Sequence, residues 1–128
     1  MRRRNWWALL ILYAAAIFAL SHTSVQSGAL PFPYFDKLFH AAEFGFFLVL
    51  AWLATGGRSL RALGMTALYA GTDEVHQLFV ATRTASYLDF AADLGGAALA
   101  LAILLLCQRL WHILRPRILD PNDAKVER

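Results

Sequence analysis

The chain has 128 residues, of which 59% are hydrophobic and only 16% charged, against about 25% charged in typical soluble domains. That leaves too few polar residues to cover a water-soluble surface, and it excludes a disordered chain, which requires low hydrophobicity. The single cysteine, Cys107, excludes a framework of internal disulfides. The same apolar composition disfavours a dedicated nucleic-acid binder and is typical of one membrane-embedded domain, and the net charge of +3 is a mild basic bias.

The first two candidate membrane spans lie in the N-terminal half. A bilayer-crossing helix needs about 20 mostly apolar residues. Residues 6–20 form a short candidate, and residues 38–54 form a second one that includes His40 and Glu43. Both segments are predicted to be transmembrane helices.

The third and fourth candidate spans differ strongly in hydropathy. Residues 90–110 are rich in alanine and leucine and form the clearest span, with Asp93 near its start. Residues 60–80 form the weakest, because the apolar stretch covers only residues 62–71. Polar residues follow it: Asp73, Glu74, His76 and Gln77. This segment is still predicted to cross, because basic residues sort to one side only with four spans.

Charge sorting gives the predicted topology. Short cytoplasmic loops collect lysine and arginine, and every lysine and arginine except Lys37 and Arg83 falls on one side of a four-span arrangement. The sequence therefore predicts an all-α, polytopic four-helix transmembrane bundle over residues 1–115, with both termini cytoplasmic and a polar cytoplasmic tail over 116–128. A cleaved signal peptide is the competing interpretation of the N-terminus, but residues 16–21 contain no convincing small-x-small cleavage site.

Polar and ionisable residues recur at the outer ends of three predicted helices. They are Asp36, Lys37, His40 and Glu43 on the second, Asp73, Glu74 and Gln77 on the third, Asp89 and Asp93 on the fourth, and Arg83 in the loop before it. Spacings of three and four place most of them on one face of each helix. Charges at such depth normally face the bundle interior or a watery cavity, so one shared cluster near the outer leaflet is predicted.

This cluster could support several kinds of chemistry. Crowded carboxylates cannot all ionise cheaply, which makes general acid/base work, proton exchange or metal binding feasible. The predicted catalytic residues are His40, Glu43, Asp73 and Glu74. The predicted ligand-binding residues are Asp36, Lys37, Gln77, Arg83, Asp89 and Asp93. Among these, Arg83 and Lys37 suit a phosphate or carboxylate.

Each polar residue also has a structural interpretation. Asp36 and Asp89 could cap helix ends, and the others could join helices by hydrogen bonds. His40 and Glu43 form only a His-x-x-Glu pair. Because a His-Glu-x-x-His signature and a second Glu-x-x-His are absent from the sequence, no metal and no cofactor are predicted.

The ordered motifs resemble one known family. Asp36-Lys37-x-x-His40 followed by Glu43-Phe44 is similar to the start of the second helix of VanZ-like membrane proteins. The rest of the signature resembles Asp73-Glu74-x-x-Gln77, Arg83, Asp89, Asp93 and Gly96, and the region around Ser21 is also similar. The family pattern carries asparagine where Asp93 stands, which puts a purely amide role there in doubt.

The resemblance implies a small polytopic protein of the bacterial cytoplasmic (inner) membrane, with relevance to the cell envelope. The name-giving member is linked to resistance to the glycopeptide teicoplanin. The first functional hypothesis is an outward-facing pocket that binds or modifies an envelope lipid or cell-wall precursor. The alternative is a non-catalytic protein that binds or stabilises an envelope partner, its polar cluster being a structural network.

Several questions stay open on the sequence alone. Whether the chain is an enzyme is undecided, and dimerisation is compatible with four short helices. Proton or ion movement is a weaker third hypothesis, because the inner halves of the predicted helices are almost devoid of polar residues. The lipid bilayer is the expected environment, and no nucleic-acid partner is expected.

Overall fold

The computed structural model describes residues 2–21, 35–80 and 85–119, with side chains as far as residue 115. Within these ranges the chain forms four helices and no strand: α1 Arg3–Ser21, α2 Phe35–Thr55, α3 Ser59–Gln77 and α4 Tyr87–Leu119. The all-α prediction is confirmed, and each predicted span coincides with one helix. α4 continues past the predicted domain boundary at residue 115.

The bundle is apolar outside and partly polar inside. Large apolar side chains are exposed on every helix, for example Leu12, Leu38, Leu68 and Ile103. A soluble monomer rarely exposes such a continuous apolar surface. Polar side chains such as Gln77 are instead buried, so the distribution suits a surrounding hydrocarbon phase.

Three of the four helices have the length and composition needed to cross a membrane. They are Arg3–Ser21, Phe35–Thr55 and the Tyr87–Arg115 part of α4. α3 has 19 residues, as many as α1, but its buried face carries polar side chains that lower its hydropathy: Thr66, Asp73, Glu74 and Gln77. The fourth crossing and the side on which the termini lie stay predictions.

Consecutive helices run in opposite directions. At one end, the Arg3 guanidinium of α1 donates a hydrogen bond to the Thr55 carbonyl at the end of α2, at 3.4 Å. At the other end, Ser21 of α1 contacts Asp73 near the end of α3. α1 and α3 are therefore parallel to each other and antiparallel to α2. α4 runs in the same direction as α2, because His40 near the start of α2 contacts Asp93 near the start of α4.

Two glycines make the short turn between α2 and α3. Gly56 and Gly57 have φ angles of 71° and 81°, a left-handed conformation that glycine adopts without steric cost. The Gly57 N–H donates to the Trp52 carbonyl at 2.8 Å and the Gly56 N–H donates to the Leu53 carbonyl at 3.2 Å. These are the two hydrogen bonds of a Schellman motif. The turn brings Arg58 and Arg61 beside Arg3, where all three line one groove.

The tightest helix crossing joins α2 to α4. A Cβ atom added to Gly96 would overlap the backbone of Ala41, and one added to Gly45 would lie 3.2 Å from the Gly96 carbonyl oxygen. Small residues allow this approach, and close packing is a main source of helix association in membranes. α2 and α4 therefore share the most extensive contact in the bundle. The close crossing at Gly45 and Gly96 lies about one turn further along these helices than His40 and Asp93.

Replacing Gly96 with alanine is expected to force α2 and α4 apart. Overpacking of this kind costs about 1–3 kcal/mol, and the thermal midpoint of the protein in detergent should fall accordingly. Gly95→Ala is the matched control, because Gly95 has no atom within 4 Å of an added Cβ and alanine favours helix. Equal midpoints for the two variants would contradict the close crossing.

Candidate functional site

Three buried side chains from three helices meet at the acidic end of the bundle. His40 on α2 and Asp93 on α4 lie 2.9 Å apart, measured from Nδ1 to Oδ1. Potential ligand atoms of His40, Asp93 and Glu74 of α3 all lie within 4.8 Å of one another. Asp93 is completely buried, whereas His40 and Glu74 are 8% and 9% exposed. We call these three residues the central trio.

Several oxygens at this centre have no hydrogen-bond partner among the described residues. They are Asp93 Oδ2, Glu74 Oε1 and Gln77 Oε1. An unsatisfied buried polar atom costs about 1–3 kcal/mol and is uncommon in native proteins. The second oxygen of Glu74 accepts a hydrogen bond from the Ser86 backbone N–H at 2.8 Å, so that interaction fixes the carboxylate while its other oxygen stays buried without a partner among the described residues.

Asp73 does not belong to the trio and has hydrogen-bond partners of its own. Its Oδ1 accepts a hydrogen bond from the Ser21 hydroxyl at 2.7 Å, and its Oδ2 accepts one from the Gln77 amide at 2.8 Å. With both oxygens engaged, Asp73 links α1 to α3. This geometry suits a positioning residue better than a proton donor or acceptor.

Lys37 joins the two helix starts at the rim of the site. Its ammonium group contacts Asp36 at 2.8 Å and also contacts Asp89 across the α2–α4 interface. The Asp36 side chain is 42% exposed and that of Asp89 only 10%. Lys37 is thus neutralised by two carboxylates, so it is less available for an anionic ligand than the sequence suggested.

Glu43, a predicted catalytic residue, does not belong to the central trio. Glu43 is half-buried one turn after His40, and its backbone carbonyl accepts a hydrogen bond from the Tyr13 hydroxyl at 3.2 Å. Arg83, the predicted anion-binding arginine, lies outside the described residues. His76, which the sequence did not favour as catalytic, packs on the Phe18 ring with centroids 4.1 Å apart.

An apolar groove lies beside the trio between α3 and α4. It has a volume of about 370 Å³, and its lining residues are Gly71, Glu74, Val75, Leu78, Ala85, Ser86, Tyr87 and Phe90. Val75, Leu78 and Tyr87 are also exposed on the outside of the bundle. Glu74 belongs both to this groove and to the trio, so the groove joins the apolar exterior to the buried polar centre.

Some contributors were missed by the sequence analysis. Ser21 and Ser86 hold the carboxylates of Asp73 and Glu74, and Tyr13 ties α1 to α2. The sequence signals for Ser21 were its place at the end of an apolar span and the family resemblance of the region around it. Ser86 contacts Glu74 through its backbone N–H. Because every residue type except proline has this group, the sequence gives no signal for the contact.

The fold and the polar centre together define a small all-α membrane protein with a buried acidic cluster. A family model described as VanZ/LLP1 matches residues 2–108. The chain belongs to this VanZ-like family, as the motifs predicted. No curated protein and no solved structure matches the chain significantly.

Proposed function

We propose that the protein binds or modifies a cell-envelope lipid or a lipid-linked cell-wall intermediate in a pocket at the outer leaflet. In this proposal the chain spans a bacterial cytoplasmic membrane four times with both termini inside. The family membership supports an envelope role, and a link to teicoplanin resistance is included on that ground alone.

The groove between α3 and α4 is the observation that carries this proposal. An amphiphile requires an apolar channel for its chain and a polar site for its headgroup. Val75, Leu78 and Phe90 supply the apolar walls, and Glu74 supplies the contact with the polar centre. A water-soluble ligand would not enter through an opening that faces the apolar exterior of the bundle.

The proposed roles follow from the contacts. His40 and Glu74 are the acid/base candidates, because both are buried and Glu74 borders the groove. Gln77 and Asp73 position the end of α3. Glu43 is a further acid/base candidate, and Arg83 remains the predicted partner of a phosphate or carboxylate on the ligand.

The helix directions support the proposed topology. Because neighbouring helices alternate, the acidic ends of α2, α3 and α4 lie together, while Arg3, Arg58 and Arg61 line a groove at the opposite end. Arginines concentrate on the cytoplasmic side. A crossing by α3 would also bury its polar face within the bundle and leave Leu68 and Val75 toward lipid.

The alternative function is that of a non-catalytic protein that binds or stabilises an envelope partner. A specific observation favours it: several cluster side chains bond each other across helices, as Ser21 does with Asp73 and Lys37 does with Asp89. Such a network would hold the fold together without any ligand. The unpartnered oxygens of Asp93 and Glu74 favour the pocket instead.

Filling the groove tests the proposal. Gly71 lines the groove, and a Cβ there would lie 3.9 Å from the Phe90 ring, so the larger side chain of Gly71→Leu would project into the space. We expect binding of fluorescent phosphatidylglycerol or a polyprenyl phosphate to the detergent-solubilised protein to weaken at least tenfold, as measured by anisotropy.

Gly64→Leu is the control on the same helix, because Gly64 is exposed and has nothing within 4 Å of an added Cβ. It should bind both lipids as the unmodified chain does. If neither lipid binds the unmodified protein, or if both leucine variants bind equally well, the groove is not a lipid site.

A further inference from the structure

We propose that His40, Glu74 and Asp93 bind one divalent transition-metal ion, such as Zn²⁺ or Mn²⁺. This inference goes beyond the proposed function, because a cation can bind whether or not a lipid enters the groove. One ligand comes from each of α2, α3 and α4.

The three side chains lie close enough together to share a single ion after small side-chain movements. Zinc–ligand bonds of about 2.0–2.2 Å place two ligands of one ion roughly 3–3.5 Å apart. The potential ligand atoms of the three side chains lie within 4.8 Å of one another, and the hydrogen bond between His40 Nδ1 and Asp93 Oδ1 would give way to the ion.

The unpartnered oxygens provide an independent reason for a cation. Asp93 is completely buried and Glu74 is nine-tenths buried, yet each has an oxygen without a hydrogen-bond partner among the described residues. No lysine or arginine in the described part of the chain contacts either carboxylate. Buried carboxylates are normally paired or bound to metal, and an ion between these two would satisfy both orphaned oxygens.

The donor set indicates the kind of ion. One imidazole and two carboxylates favour a borderline transition metal over Mg²⁺ or Ca²⁺, which take oxygen ligands almost exclusively. Three protein ligands leave a coordination position open, as in catalytic zinc sites. The Ser86 N–H on the other Glu74 oxygen would act as an outer contact that orients the ligand.

The absence of a metal-binding motif from the sequence is compatible with this site. A motif such as His-Glu-x-x-His places two ligands on one helix. Here the ligands are far apart in the chain, at positions 40, 74 and 93, and only the packing of three helices brings them together. The expectation of no metal rested on local spacing, which does not detect such a site.

The test is metal retention by the untagged protein in detergent without added lipid. The chain is stripped with a chelator, incubated with Zn²⁺ or Mn²⁺, desalted and analysed by mass spectrometry for metal content. We expect close to one ion per chain for at least one of these metals. His40→Ala and Glu74→Gln should each weaken binding at least tenfold in a titration.

His112→Ala is the control, because His112 is exposed on α4 in the basic C-terminal part of the chain, well past Asp93 along the helix. It should retain the full metal content. Asp93→Asn keeps the side-chain shape and serves if the other variants fold poorly; it too should weaken binding at least tenfold. Retention of less than a tenth of an ion by the unmodified protein, or unchanged binding in the trio variants, would overturn the inference. Because no lipid is added, this outcome is separate from failure of the lipid proposal.

Discussion

Replacing Asp93 with asparagine is expected to leave the metal-free protein as stable as the unmodified chain or more stable. Binding of the metal ion or of the lipid is expected to fall at least tenfold. The asparagine oxygen can still accept a hydrogen bond from His40, as Asp93 Oδ1 can. Its amide group replaces the orphaned Oδ2 with a donor close to Glu74. Removing an unsatisfied buried oxygen recovers about 1–3 kcal/mol of folding free energy. Functional sites typically have such residues, which lower stability but are needed for activity.

Thermal unfolding in detergent and metal or lipid titration measure the two halves of this prediction. Asp89→Asn is the control on the same helix, because Asp89 has a cationic partner in Lys37 and its neutralisation should lower the thermal midpoint. A purely structural network predicts that Asp93→Asn destabilises the protein as Asp89→Asn does. Equal losses of stability in both variants would therefore favour the structural alternative.

Replacing Lys37 with alanine is expected to give the largest loss of stability among single substitutions in the cluster. Among the described residues, Lys37 supplies the positive charge that contacts Asp89. The Asp89 side chain is only 10% exposed. Without Lys37 a largely buried carboxylate at the start of α4 loses its charged hydrogen-bond partner. Hydrogen bonds to charged groups contribute about 1.5–3 kcal/mol, so a loss of about 2–3 kcal/mol is expected from thermal or denaturant unfolding.

Asp36→Asn provides the contrast for Lys37→Ala. The Asp36 side chain is 42% exposed, and exposed ion pairs contribute only about 0–1 kcal/mol to stability. The variant should unfold within about 1 kcal/mol of the unmodified protein. If Asp36→Asn and Lys37→Ala have the same stability, the α2–α4 ion pair does not hold the helix starts together.

The helices could be predicted because hydrophobic length is a local property. Residues 6–20, 38–54 and 90–110 each lie within an observed helix that is apolar enough to span a membrane. Residues 60–80 also coincide with a helix, although it ends at Gln77. Its low hydropathy has a tertiary cause, since its polar residues face the bundle interior, and a window average cannot separate a buried face from an exposed one.

The grouping of the cluster was only partly accessible from sequence. Helical spacing correctly placed His40, Glu74 and Asp93 at the same end of the bundle, and the structure brings them together. It could not show that Asp73 is also engaged by Ser21 of α1, whereas the contact of Asp73 with Gln77 joins residues four apart in one helix. The contact between Ser21 and Asp73 depends on how α1 and α3 are rotated about their axes, and that rotation is set by packing.

The close contact between α2 and α4 had a partial sequence signal. The run of small residues at 95–98 is typical of a close helix approach, yet only one of the two adjacent glycines meets a neighbouring backbone. Gly96 faces Ala41, while Gly95 faces open space. The corresponding small residue on α2, Gly45, was not singled out, because a lone glycine in an apolar helix has no distinctive spacing.

Photocrosslinking of a lipid in reconstituted membranes tests the central claim most directly. A phospholipid with a diazirine in its acyl chain is incorporated with the protein, and labelled peptides are mapped after illumination. We predict labelling concentrated on the groove residues Val75, Leu78 and Phe90, and its loss in Gly71→Leu but not in Gly64→Leu. Labelling spread evenly over the exposed apolar side chains of all four helices, and unchanged in Gly71→Leu, would contradict a lipid pocket beside the trio.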